Sequence, residues 1–105
     1  MQDKREEFGK RKQQLALFAK ALSHPARIAI LRQLGKDQRC TCGDLVKQLP
    51  LSQSTVSQHL HELKESRLIS MVIEGPKSYY SINDEVLEHF HDEFNRLMLN
   101  LKLGK

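Results

Sequence analysis

In 105 residues this chain has no tryptophan, three prolines and two cysteines. Four Phe and two Tyr leave few flat rings on which splayed single-stranded bases could stack, which argues against a single-strand-binding platform. There is no run of about twenty apolar residues, so no segment is expected to span a membrane. The opening stretch MQDKREEFGKRKQQ lacks the apolar segment of a signal peptide, so export is not expected and a cytoplasmic location is. A disulfide between Cys40 and Cys42 would be strained by their one-residue spacing and is not expected in a reducing compartment. Internal repeats, low-complexity tracts and linkers are absent, and the length suits one domain with a modest core. Nothing resembles a Gly-rich phosphate loop, a Ser-His-Asp arrangement or a carboxylate pair in an apolar setting, so an enzyme is not expected.

What is present is a charge asymmetry. The net charge is +4, but residues 1–80 hold 14 Lys/Arg against 8 Asp/Glu (+6), while residues 81–105 hold 3 against 5 (−2). An excess concentrated in one part of a chain favours a polyanionic partner.

That part contains the most informative segment, SQSTVSQHLHELKES at 52–66. Ser52 can cap a helix whose Val56, Leu60 and Leu63 share one face. The other face is expected to carry Gln53, Ser54, Thr55, Ser57, Gln58 and His59. A solvated helix face is usually Lys and Glu; neutral hydrogen-bonding groups suit a helix whose first turns meet base edges and phosphates. Gln53, Ser54, Thr55 and Ser57 are placed to reach bases, and Gln58 with Lys64 to hold the backbone. His59 is likewise expected to hold the backbone with Gln58, the alternative being that it packs beside the corner. Upstream, CTCGDLVKQLPL predicts a short helix, with Thr41 and Asp44 as a capping-box pair and Pro50 as its stop. Short helix, tight corner and polar-faced helix make a helix-turn-helix over 41–66. Downstream, two β-prone runs flank Glu74-Gly75-Pro76-Lys77, predicting a hairpin over 68–82 with Lys77 available to phosphates. A hairpin after such a helix is the wing of a winged helix.

Helices predicted over 3–22 and 84–102 frame this unit. Ser23-His24-Pro25 separates the first from a helix ending near Gly35, a plausible C-cap. The last helix, capped by Asn83 or Asp84, is apolar at Val86, Leu87, Phe90, Phe94, Leu97, Met98 and Leu101, more than a small monomer would cover. The expected solution is a homodimer using Phe18, Phe90, Phe94, Leu97 and Leu101; the alternative is a monomer whose terminal helices fold back on their own core. The fold class is therefore mostly α with a small β-hairpin, a single winged helix-turn-helix over 1–105 that dimerises through its terminal helices.

The segments ALSHPARIAILRQL, CTCGDLVKQLPLSQSTVSQHLHELKESRLI and EGPKSYYSIN closely resemble the ArsR/SmtB family of bacterial repressors, over roughly residues 15–95. The resemblance implies a homodimeric winged helix that binds double-stranded operator DNA and releases it when a metal, metalloid or oxidant reaches a sensor site. Arsenical-type members carry Cys-Val-Cys-Asp-Leu at the start of the first helix of the helix-turn-helix. Here Cys40-Thr41-Cys42-Gly43-Asp44-Leu45 has one residue more before the Asp. Thiols at a helix start, beside Arg39, should have lowered pKa values. Two such thiolates would suit As(III), Sb(III), Cd(II), Cu(I) or Zn(II). Metal binding at Cys40 and Cys42, thiol oxidation and a purely structural pair all stay open, and trivalent arsenic wants three thiolates. Other members bind zinc through an Asp-x-His pair and a second pair on the last helix. This chain has His89, His91, Asp92 and Glu93 without the second pair, and these are expected to be solvated. The function implied is a sequence-specific DNA-binding repressor. The alternatives are a winged-helix protein-interaction module and a repressor without a working sensor.

Overall fold

The computed structural model describes residues 8–104. Five helices and one hairpin follow in order: α1 (Gly9–Ala21), α2 (Pro25–Asp37), α3 (Cys42–Gln48), α4 (Gln53–Glu65), β1 (Ile69–Glu74), β2 (Lys77–Ile82) and α5 (Asp84–Leu103). This is the expected mostly α fold with a two-stranded wing. The part of the first predicted helix before Phe8 lies outside the described residues.

Local chemistry sets most boundaries. His24 is the N-cap of α2, its ring Nδ1 accepting from the Ala26 N–H, and Pro25 follows where a missing N–H is harmless. Thr41 and Asp44 form a reciprocal capping box: the Thr41 hydroxyl accepts from the Asp44 N–H at 3.0 Å, and the Asp44 carboxylate accepts from the Thr41 N–H at 3.0 Å. Ser52 caps α4 and Asn83 caps α5. The hairpin closes on a two-residue turn with Gly75 at φ 61°, and Pro76 after it fixes its own φ.

One expected boundary is corrected. α2 does not stop at Gly35 but runs two residues further, to Asp37. A glycine costs a helix only about 1 kcal/mol. The stop comes instead from Gln38 at φ 71°, whose N–H bonds the Leu34 carbonyl at 2.8 Å.

The core gathers Ala21 of α1, Ile30 and Leu34 of α2, Cys40, Leu45 of α3, Val56, Leu60 and Leu63 of α4, Leu68 and Ile69 entering β1, and Phe90 of α5, with Tyr80 and Ile82 of β2 packed partly against it. Burying each large side chain contributes roughly 1.5–3 kcal/mol, enough to fix how α4 sits on α2 and α3. Ser66 ends α4 with a buried hydroxyl that donates to the Leu63 carbonyl at 2.6 Å and accepts from the Leu68 N–H. Arg67 then turns the chain at φ 67° into the hairpin. The wing pairs in simple antiparallel register, Ile69 with Ile82 through Glu74 with Lys77. Its base is joined by Cys40, which exchanges two backbone hydrogen bonds with Tyr80, at 3.0 and 2.8 Å. α1 lies along α5, where Phe18 and Phe90 stack with centroids 4.6 Å apart.

Candidate nucleic-acid interface

α4 buries Val56, Leu60 and Leu63 and leaves Gln53, Ser54, Ser57 and Gln58 exposed. The Ser52 cap orders the leading turn beyond its backbone. Its hydroxyl donates to Thr55 Oγ1 at 2.9 Å and lies 3.3 Å from that of Ser54. Thr55 is half-buried, and its hydroxyl accepts this bond without using its own O–H. Lys64 is exposed in the last turn of the helix and Lys77 is exposed at the wing tip.

His59 stands apart from the other residues predicted to meet DNA. Its ring is turned inward and only 9% of the residue is exposed, so the expected backbone contact is not what this geometry offers, and it faces the start of α2, not the corner before α4. Nδ1 accepts from Arg27 Nε at 3.3 Å, and the ring lies 4.5 Å from that of His24. Burial, and then the neighbouring His24 and Arg27, hold its pKa below the ordinary histidine value, with Glu62 pulling weakly the other way. Neutral His59 is thus the acceptor that seats α4 on the start of α2. Arg27 was the residue hidden from sequence reasoning; its only signal was its place in Ser-His-Pro-Ala-Arg. His61 is exposed and faces Glu65 at 3.8 Å.

The expected low thiol pKa values are overturned. Cys40 is 1% exposed, and burial together with the charges of Asp37 and Asp44 pushes it up to about 11. Cys42 is half-buried and is also raised by burial. The capping carboxylate that satisfies the helix start is itself the negative charge that opposes a thiolate there. Arg39 does not help, because its guanidinium faces Glu74 at 2.7 and 3.3 Å and lies over the Tyr79 ring at 3.8 Å. Cys42 lines an open cleft of about 310 Å³ with Thr41, Gly43, Lys77, Ser78 and Tyr80. Among the described residues no group of three or more His, Cys, Asp or Glu is arranged to hold a metal ion. His89, which bonds Gln14, and His91, which contacts Asp92 and Asn95, are exposed as expected, but Glu93 is not solvated: it is 9% exposed on the side of α5 that faces α1, with Arg11 at 3.5 Å.

On the terminal helices, Phe90 is buried against Phe18 within the chain. Phe94, Leu97, Met98 and Leu101 stay 38–67% exposed on α5. No helix among the described residues is long and apolar enough to cross a membrane.

A buried-backed helix with a neutral polar face, a short supporting helix and a hairpin wing define a winged helix-turn-helix of the kind that regulates transcription. A family model described as a helix-turn-helix domain matches residues 22–72. The arsenical resistance operon repressor of Staphylococcus xylosus is 32% identical over 82 residues, 78% of each chain. A Synechocystis homolog of the transcriptional repressor SmtB is 33% identical over 81 residues, 77% of this chain and 61% of that one. An ArsR-like transcriptional regulator from Rhodococcus sp. RHA1 superposes with a TM-score of 0.78 at 25% identity, over 87% of this chain and 85% of the other. The chain belongs to the ArsR/SmtB family of helix-turn-helix transcriptional repressors.

Proposed function

We propose that this repressor acts in the cytoplasm as a homodimer on double-stranded operator DNA. Gln53, Ser54, Thr55 and Ser57 read base edges, while Gln58, Lys64 and Lys77 hold the backbone. The observation that carries the reading is the exposed, uncharged leading face of α4, held rigid by the Ser52 network on one side and the core on the other. His59 serves from inside, by seating the helix. The exposed apolar side of α5 supports the dimer, which would set two recognition helices about one DNA turn, roughly 34 Å, apart.

The test is binding to a duplex selected from a random-sequence library. Gln53→Ala/Thr55→Ala should lose about 1–3 kcal/mol per good base contact and relax sequence preference. Equal affinity and preference for the variant and the wild type, across a salt series, overturn the assignment.

Release by a soft ligand through Cys40 and Cys42 is the narrower part of the proposal. One chain offers two thiols, both protonated and one of them in the core, which does not fit a resident metal centre. Cys42, reached through its cleft, is the thiol that an As(III), Sb(III), Cd(II) or Zn(II) species or an oxidant meets first. Arsenite, antimonite, Cd(II), Zn(II) and polysulfide are titrated against the protein–duplex complex, for wild type and for Cys40→Ser/Cys42→Ser. Release of both alike removes the cysteines from the regulation.

A further inference from the structure

The wing is a two-stranded ribbon, and such a ribbon has little stiffness of its own. Its base is fixed by the core packing of Ile69 and Ile82 and by one backbone exchange between Cys40 and Tyr80. Lys77 sits three residues beyond that rung, about 10 Å further along the strand at the usual rise per residue. Left there, the tip would swing, and a swinging tip cannot place an ammonium on a phosphate.

A side-chain link extends the anchorage to the tip. Arg39, one residue before the rung, presents a two-pronged guanidinium to the Glu74 carboxylate, Nη2 to Oε2 at 2.7 Å and Nη1 to Oε1 at 3.3 Å. The carbon of the same guanidinium lies over the ring of Tyr79, 3.8 Å from its centroid. Glu74 is the last residue of β1 and pairs in register with Lys77. Arg39 therefore holds the connection between α2 and α3 to both strands of the wing, at the rung where Lys77 emerges. The pairing also settles a competition. Glu74 and Lys77 are cross-strand neighbours of opposite charge, yet the carboxylate is engaged by Arg39; Lys77 makes no ion pair among the described residues, with Asp44 only a more distant negative neighbour, and so can meet another anion.

We infer that Arg39 and Glu74 are positioning residues for DNA binding: together with Tyr79 they brace the wing so that Lys77 meets the phosphate backbone. The inference rests on the proposed contact between Lys77 and DNA. Both side chains are about half exposed, so the pair adds little to overall stability and its effect is on orientation.

The charge of Glu74 makes the test sharp. Removing a carboxylate from a DNA-facing surface ordinarily strengthens binding. A brace predicts the opposite sign. Arg39→Lys separates the two further, because it keeps the charge but loses the fork and the stacking. Full-length wild type, Glu74→Gln, Arg39→Lys and Lys77→Ala are compared on the library-selected duplex across a salt series, with thermal melts alongside. Glu74→Gln and Arg39→Lys should each bind about three- to tenfold more weakly, with a salt slope lower by about one unit, as for Lys77→Ala, and with melting temperatures close to wild type. If Lys77→Ala lowers the slope while Glu74→Gln and Arg39→Lys bind as wild type or tighter, the brace is overturned and the wing contact stands. If Lys77→Ala leaves the slope unchanged, the wing contact fails and the brace falls with it, while the recognition helix is judged separately by the Gln53/Thr55 variant.

Discussion

Phe94 offers a direct test of the proposed dimer. It leaves 47% of its surface in water on the apolar side of α5. Full burial of such a side chain is worth roughly 1.5–3 kcal/mol, so covering the exposed part contributes about 0.7–1.4 kcal/mol per chain. A two-fold interface uses the residue twice, for about 1.4–2.8 kcal/mol per dimer. Phe94→Ala should therefore raise the dimer dissociation constant about ten- to a hundredfold, without loss of helix, since alanine is the best helix former. Sedimentation equilibrium over a micromolar range reads this directly. Leu99→Ala is the control: Leu99 is 55% exposed but lies five residues on, about 140° around the helix. It should leave assembly unchanged. A wild type that is a well-folded monomer at micromolar concentration refutes the reasoning, as does an equal shift for both variants.

Other outcomes are equally open to measurement. Because the folded His59 has a depressed pKa, an unfolded chain takes up its proton first as the pH falls through about 6.5; stability should drop on acidification from there, and thermal melts between pH 7.5 and 5 should show a smaller drop for His59→Gln. The lowered carboxylates Asp37, Asp44 and Glu74 act in the same direction but only below about pH 4, outside that window. Thr41→Ala breaks the capping box and should cost about 0.5–2 kcal/mol in a urea titration; an unchanged midpoint removes the box from the stability of α3. Alkylation at neutral pH should mark Cys42 well before Cys40, and Cys40 at an appreciable rate only in denaturant; equal labelling in the native state contradicts the burial of Cys40.

Features written in adjacent residues were legible from the sequence. The α4 stripe of Val56, Leu60 and Leu63, the serine and threonine caps, and the Gly-Pro turn of the wing are local patterns, and local patterns have a period or a signature. Features that join distant residues were not. Nothing in the spacing of Arg39 and Glu74, 35 residues apart, shows that they meet. A single rung at Cys40 is too short to carry a strand pattern. His59 was misjudged from its polarity: Val56, His59, Leu60 and Leu63 are spaced i, i+3, i+4 and i+7, so the period alone puts it in the buried stripe, and only its partners Arg27 and His24 needed the fold. The thiols failed for a related reason: a helix start lowers a thiol pKa, but burial and the Asp37 and Asp44 charges act more strongly on Cys40, and neither is visible as a motif. Gly35 was misleading because one glycine is too weak to stop a helix whose next turn still has a carbonyl partner at Gln38.

Arg27 carries a consequence for linkage. Its Nε is bonded to the His59 ring on α4, while its Nη1 donates to the Lys20 carbonyl near the end of α1, at 3.0 Å. One guanidinium thus ties a helix expected to pair with a second chain to the helix expected to read DNA. If the proposed association shifts α1, that shift would reach the seat of α4 through a rigid planar group. Linkage is reciprocal: if association improves the seating of α4, then occupancy of DNA tightens association by the same factor. Assembly and operator binding would then be two readings of one equilibrium, and the concentration at which the chain pairs would fall when its DNA is present.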